Sequence, residues 1–222
     1  KVNLILRYIS YKLFAKHRRG HGIHSPFVYK LIREVFNRHD DDPSFREIEK
    51  IRKKYMANDE SVSVSDFGAG SRAGKKEVRK LKEIVRSSAI PARYGRMLYY
   101  LANHYQPEFI VELGTSAGIS TAYLAAANPA TRVFTIEGDE SMSQIAGNTF
   151  QNMKLNNIEL ITDTFENALE IVTKSVSGKL LVFIDGNHQY HGVLHYFKKF
   201  RIRSDECLII FDDIRWSDDM LK

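Results

Sequence analysis

The sequence predicts an α/β fold in which a doubly wound, mostly parallel sheet over residues 108–222 follows a basic helical extension over residues 1–107. Three observations carry this. Five short apolar runs, FIVEL, RVFTIE, IELIT, KLLVFID and CLIIFDD, recur after residue 108; runs apolar throughout, rather than alternating, suit parallel strands covered on both faces. Helix-length segments near 118–127, 141–153, 165–173 and 190–199 separate them, which implies right-handed βαβ units. The charge is segregated: residues 1–107 hold 23 Lys and Arg against 11 Asp and Glu, a net +12, whereas residues 108–222 hold 10 against 16, a net −6.

The totals set limits on the class. A chain of 222 residues with 43% hydrophobic side chains suits one substantial globular core with an extension. No apolar run approaches the roughly 18 residues of a membrane span, and no secretory signal with a small-residue cleavage site is visible. The single cysteine, Cys207, lies in the apolar run CLIIF; it excludes an internal disulfide framework, reads as a buried thiol, and fits a reducing, cytoplasmic location. A homo-oligomer is compatible with the sequence.

In chain order, VNLILRYISYKLF (2–14) places apolar side chains on most of a helical surface. HSPFVYKLIREVF offers Ser25 as N-cap, Pro26 at the first helical position and a stripe of Val28, Leu31, Ile32, Val35 and Phe36; DDPSFREIEKIRKKY repeats the device with Asp42 and Pro43. A basic helix is expected over about 75–86, burying Val78, Leu81, Ile84 and Val85, and another after Ile90-Pro91, carrying Tyr94, Met97, Leu98, Leu101 and Ala102.

Two glycine-rich stretches compete as a nucleotide-like site, SDFGAGSRAG (65–74) and VELGTSAGIS (111–120). In an open α/β sheet the ligand lies beyond the strand carboxyl ends, with the first loop feeding a helix N-terminus. VELGTSAGIS follows a solid apolar run and opens into the small-residue helix STAYLAAA. Gly114 allows a sharp turn and close backbone approach, and Gly118 lets the helix lie near the strand. A second strand ends in Glu137, 23 residues after Gly114, where an acid meets ribose hydroxyls. The earlier stretch follows the alternating run SVSVS and precedes a lysine-rich segment with no acid-tipped strand, so Gly68 and Gly70 read as a connector between helices.

The interval Gly114-x-x-x-Gly118, filled by Thr115, Ser116 and Ala117, lacks the middle glycine that admits a dinucleotide pyrophosphate. VELGTSAGIS instead resembles motif I of class I, S-adenosylmethionine-dependent methyltransferases, a Rossmann-like family, and the resemblance spans residues 108–216. It implies that Glu112, Gly114, Thr115, Ser116 and Gly118 surround the methionine end, that Ser120 binds its carboxylate or amino group, that Glu137 takes both ribose hydroxyls, and that Asp163 and Thr164 border the adenine.

FIDGNHQYHG and FDDIRW put Asp185, Asp212 and Asp213 at neighbouring strand ends, a cluster that repels itself unless a cation or proton lies within it. Oxygen-only donors favour a hard ion such as Mg²⁺. The arrangement is similar to the catechol-type, cation-dependent O-methyltransferases, whose metal ligands occupy these places; the usual last ligand is an amide, and here it is Asp213. The resemblance also implies cofactor-lining roles for Tyr94 and Gly95 in RYGR. His188, three residues after Asp185 where that family has a lysine, is a candidate general base beside Asp185. The amine-methylating Asn/Asp-Pro-Pro-aromatic signature is absent, so a small-molecule hydroxyl is the expected acceptor.

His191 and His195, at i and i+4, read as an ordinary helix face, and His17, His21 and His24 as a solvated turn. Trp216 fits a pocket wall or the core. KLFAKHRRG and RAGKKEVRKLK leave an RNA methyltransferase or RNA-binding module as an alternative; an NAD(P) oxidoreductase is the other. Class I methyltransferases continue past the fifth strand with a helix and a β-hairpin, and the chain ends at RWSDDMLK, so a trimmed or abbreviated C-terminus is expected.

Overall fold

The computed structural model describes residues 24–66, 75–187, 189–204 and 206–214. Contacts divide the chain into two compact units, Lys1–Asp41 and Asp42–Lys222. In the first, α1 (Pro26–Leu31) passes into a π-helical turn, Ile32–Phe36. Ser25 caps α1 as expected, its side chain accepting from the Val28 amide. Of the predicted stripe only Val35 is buried, and Val28 and Phe36 are exposed. The helix expected over 2–14 lies outside the described residues.

The second unit opens with α2 (Pro43–Met56), capped by Asp42. Then come β1 (Ser61–Asp66), β2 (Lys75–Lys80), α3 (Leu81–Ser88) and α4 (Ala92–Tyr105). Here the structure departs from the expected basic helix over 75–86. KKEVRK is a strand, paired antiparallel with SVSVSD from Ser61↔Lys80 to Asp66↔Lys75. The helix begins only at Leu81, so Leu81, Ile84 and Val85 are buried while Val78 is 70% exposed. The alternation of SVSVS is a strand pattern, and once β1 forms, its free backbone groups draw the next segment into a ladder that outweighs the helical propensity of lysines. Gly68 and Gly70 lie outside the described residues; the elements on either side are paired strands, not helices.

The remaining elements alternate as predicted: β3 (Phe109–Leu113), α5 (Ile119–Ala126), β4 (Arg132–Glu137), α6 (Glu140–Asn152), β5 (Ile158–Thr162), α7 (Phe165–Ser175), β6 (Leu180–Ile184), α8 (Tyr190–Arg201) and β7 (Cys207–Phe211). All five strands are parallel, in the order β5-β4-β3-β6-β7. The order reverses at β3, between β4 and β6, which is the switch point where such sheets bind ligands. On one face Val111, Leu113, Phe134, Ile136, Leu180, Val182 and Ile184 form a core with α7 and α8. On the other, Ile110, Val133, Leu181 and Phe183 are buried, with α5 and α6 lying against β4. Cys207 is half-buried and free, its thiol pushed up to about 11 by burial. Among the described residues no helix is long and apolar enough to cross a membrane.

Residues 42–107 pack on the sheet domain through α4, which lies against α5. Gly95 sets the approach: a Cβ there would stand 2.4 Å from Cε2 of Tyr123. The Tyr123 hydroxyl donates to Glu49 Oε1 at 2.9 Å, and Arg52 Nε reaches the same oxygen at 2.9 Å. Overpacking of this kind costs about 1–3 kcal/mol. Gly95→Ala should therefore lower the free energy of unfolding by roughly that amount, read as a fall in urea midpoint at unchanged slope.

Candidate functional site

The parallel register makes the strand ends flush, and the ladder runs one residue past each of them. Gly114 N–H donates to Ile136 O at 3.1 Å, Asp163 N–H to Glu137 O at 3.0 Å, Asp185 N–H to Leu113 O at 2.9 Å and Asp212 N–H to Ile184 O at 3.0 Å. The first residues of four loops thus line up along the carboxyl edge. Above them lies a cavity of about 1070 Å³.

The turn after β3 is built by left-handed residues: Gly114 has φ 105°, Ser116 φ 48° and Gly118 φ 76°. At Gly114 a Cβ would stand 2.2 Å from the Asp185 carbonyl oxygen, so only glycine lets this turn nest against the end of β6. The turn delivers Thr115, Ser116, Ile119 and Ser120 to the cavity wall at the N-terminus of α5, whose unpaired amide groups favour an anion. Across it Glu137, at the end of β4, accepts from the Ser116 amide at 2.7 Å through Oε2 and from the Asp139 amide at 3.0 Å through Oε1. Backbone donors fix both oxygens, and each keeps a lone pair for a further donor.

Glu112 does not reach the wall. It is fully buried on the α5 face of the sheet, where Oε2 accepts from Thr121 Oγ1 and, at 2.7 Å, from Thr135 Oγ1. Thr135, its own proton committed there, accepts from Thr115 Oγ1 at 2.6 Å, so a hydroxyl relay joins the acid to the cavity wall. Glu112 Oε1 has no partner. Burial first, against the hydroxyl bonds that favour ionisation, pushes the carboxyl up to about 7.

Asp163 and Thr164 line the cavity beyond Glu137, and Asp185, Asp212 and Asp213 line it at the ends of β6 and β7. Burial, then the charges of Asp212, Glu112 and Asp213, push Asp185 up to about 8. Asp213 is exposed, has φ 50°, and donates its amide to Asp212 Oδ1 at 2.8 Å. The three aspartates share the wall, but among the described residues no group of three His, Cys, Asp or Glu side chains converges to hold a metal ion. His188 lies outside the described residues. Of the RYGR pair, Tyr94 lines the cavity, whereas Gly95 is buried against Tyr123. Gly118, likewise off the wall, is the left-handed N-cap of α5.

Sequence reasoning missed several lining residues. Ser88, at the end of α3, stands with its Oγ 2.8 Å from Ser116 Oγ, and Ser65 of β1 reaches the same cavity. Asn187, at φ 52°, donates to Tyr196 Oη at 2.7 Å, and that hydroxyl donates to Glu166 Oε1 at 3.2 Å. This chain ties the loop after β6 to the first turn of α7. The Asn-Gln pair in GNHQY is polar enough to flag that loop, but its link to Tyr196 is tertiary.

Residues 111–214 match the family model described as a methyltransferase domain. Over 100 residues the chain is 30% identical to a tRNA (guanine-N(7)-)-methyltransferase of Mycoplasma mobile, covering 41% of this chain and 50% of that protein; it thus spans about half the length of that curated relative. Among solved structures it is similar to the O-methyltransferase TomG of Streptomyces achromogenes in complex with S-adenosylmethionine, at TM-score 0.56 and 18% identity, covering 79% of this chain and 67% of that one. An O-methyltransferase of Bacillus cereus in complex with S-adenosylhomocysteine gives TM-score 0.58 and 20% identity, covering 82% and 74%. The fold and the family match agree: residues 111–214 resemble a methyltransferase domain, and the sheet has the fold of the solved O-methyltransferases.

The raised Glu112 carboxyl makes stability depend on pH. A free glutamate, near 4.5, releases its proton on unfolding while the folded protein keeps it to about 7. The folded state binds more protons between these values, so its stability falls as pH rises from 4.5 to 7 and levels off above. Glu112→Gln should remove this component, worth roughly 3 kcal/mol, and the check is the difference in chemical-denaturation free energy between the two proteins across that window.

Proposed function

We propose that this chain transfers the methyl group of S-adenosylmethionine to a hydroxyl of a small molecule. One observation carries the reading: the glycine turn after β3 and the Glu137 carboxylate that its Ser116 amide holds stand side by side on the wall of one large cavity at the switch point. The donor set suits the cofactor. Glu137 can accept from the ribose hydroxyls, Ser116, Ser120 and the α5 N-terminus suit the carboxylate of the methionine end, and the Thr115 hydroxyl, whose proton goes into the relay toward Glu112, can accept from the ammonium. Asp163 and Thr164 border the adenine in this reading, and Tyr94 flanks the methionine end, with Gly95 supporting it from behind. S-adenosylmethionine, when bound, supplies an electrophilic methyl carbon.

The residues at the ends of β6 and β7 then hold the acceptor. The acceptor oxygen attacks the methyl carbon as the carbon–sulfur bond breaks, and its proton goes to a protein base. Asp185, its carboxyl pushed up to about 8 by burial and then by the charges beside it, accepts a proton far more readily than an ordinary aspartate; His188, three residues on, is the alternative base. No step is routed through Mg²⁺. The cavity wall also bears on substrate class. Glu137, Asp163, Glu166, Asp185, Asp212 and Asp213 line it, with no Lys or Arg among the described lining residues. Six carboxylates repel a polyanion, which favours a neutral or cationic small molecule over nucleic acid. The similarity to a tRNA methyltransferase keeps a second reading, with the basic half as the docking surface; it predicts binding to RNA that falls steeply with salt.

Titration calorimetry decides the central point. S-adenosylmethionine should bind the wild-type protein, Glu137→Ala should weaken that binding at least tenfold, and Mg²⁺ should leave it unchanged. Absence of binding to the wild type would sink the proposal.

A further inference from the structure

Asp139 joins three parts of the protein through one buried carboxylate. Its Oδ1 accepts from the Met142 amide at 2.9 Å, which caps α6; its backbone N–H holds Glu137 Oε1; and its Oδ2 accepts from the Ser65 amide of β1 at 2.7 Å. Asp139 is 6% exposed, so little water is at hand to replace a lost partner. Ser65 itself lines the cavity, beside Glu137 and Gly138, and β1 lies against α6.

We propose that the β1–β2 hairpin is a working part of the cofactor site, its strand β1 walling the nucleoside half, with Asp139 as the positioning residue that couples the hairpin to the ribose-binding acid Glu137. The inference rests on the S-adenosylmethionine reading above and goes beyond it, since nothing in motif I or in the acid-tipped β4 calls for this hairpin. The coupling is physical. Glu137 is oriented by the backbone of the turn that Asp139 closes, and that turn keeps its place against β1 only while Oδ2 holds the Ser65 amide. Ligand that immobilises Glu137 therefore immobilises β1, and by linkage a free β1 weakens the ligand by the same factor. The Ser65 amide is free for this role because it points away from β2: its acceptor is Asp139, not the partner strand.

The substitution Asp139→Asn separates the functions. The amide oxygen can still cap α6, while the NH₂ group that replaces Oδ2 cannot accept from Ser65. Calorimetry with S-adenosylhomocysteine should give a dissociation constant about tenfold weaker than wild type in a variant that still folds, at a lowered thermal midpoint because the buried Ser65 amide loses its acceptor. Hydrogen exchange of the Ser65 amide should slow about tenfold when S-adenosylhomocysteine binds the wild-type protein, and should not slow in Asp139→Asn; a merely structural cap would not produce that ligand dependence. Ser65→Pro, which deletes the donor from the side of β1 that faces away from β2, should reproduce the loss and guards against misfolding of the first variant. Affinity within twofold of wild type in a folded variant, or exchange at Ser65 that ignores the ligand, overturns the coupling. A wild-type protein that does not bind S-adenosylhomocysteine overturns the cofactor reading instead, and this proposal with it.

Discussion

The site depends on one constraint, the in-register hydrogen bonding of the parallel strands at their carboxyl ends. Parallel ladders are evenly spaced, so the register of β3 against β4 and β6 fixes how far each loop projects. Because the ladder continues through Gly114, Asp163, Asp185 and Asp212, four chemically different loops start at the same height. A slip of one residue would exchange the faces of a whole strand. Leu113 would then trade places with Glu112, putting a carboxylate into the core that α7 and α8 build with the sheet. The apolar core and the polar site therefore specify the same register.

Packing carboxylates along that edge has an electrostatic cost, and the structure spreads it unevenly. Burial pushes the Glu137 carboxyl up, and the backbone amides bonded to both its oxygens hold part of that rise back. Glu112 has hydroxyl donors for one oxygen only, and Asp185 has like charges for neighbours; both are pushed toward the neutral form. A cation in the cavity relieves all three at once. A sulfonium nucleoside bearing an ammonium group, the proposed cofactor, is such a ligand.

The strands and crossover helices were legible because fully buried parallel strands leave solid apolar runs, and Ser25 and Asp42 announced their helix starts through the Pro that follows each. The wall residues Gly114, Ser116, Ser120, Glu137, Asp163, Asp185, Asp212 and Asp213 were legible for a related reason: position at a strand end is a one-dimensional property. What the sequence could not show is depth. Glu112 and Ser116 belong to one motif, yet the pleat turns Glu112 under the sheet and Ser116 onto the wall. Gly95 sits one residue from a lining tyrosine and serves a helix contact instead. KKEVRK carries a helical pattern into Leu81, and only the presence of β1 makes it a strand.

The N-terminal half looked like an extension because charge and pattern change at residue 107, but its role in the cavity does not follow that boundary. Ser65, the segment from Ser87 to Pro91, and Tyr94 line the cavity together with the strand loops, so residues 42–107 supply part of its wall. The packing is carried by a buried polar cluster, in which Glu49 receives Arg52 and the Tyr123 hydroxyl while Arg96 lies 5.1 Å over the Phe45 ring. Such clusters specify a geometry more than they add stability, since each charged group must find its partner in a poorly solvated place. A wall fixed in this way holds its serines and Tyr94 at set positions opposite Ser116 and Asp185. Those positions shape one side of the cavity, while the strand ends supply its acidic groups. Residues 42–107 thus supply one wall of the cavity, and they are the part of this unit that motif-based reading describes least.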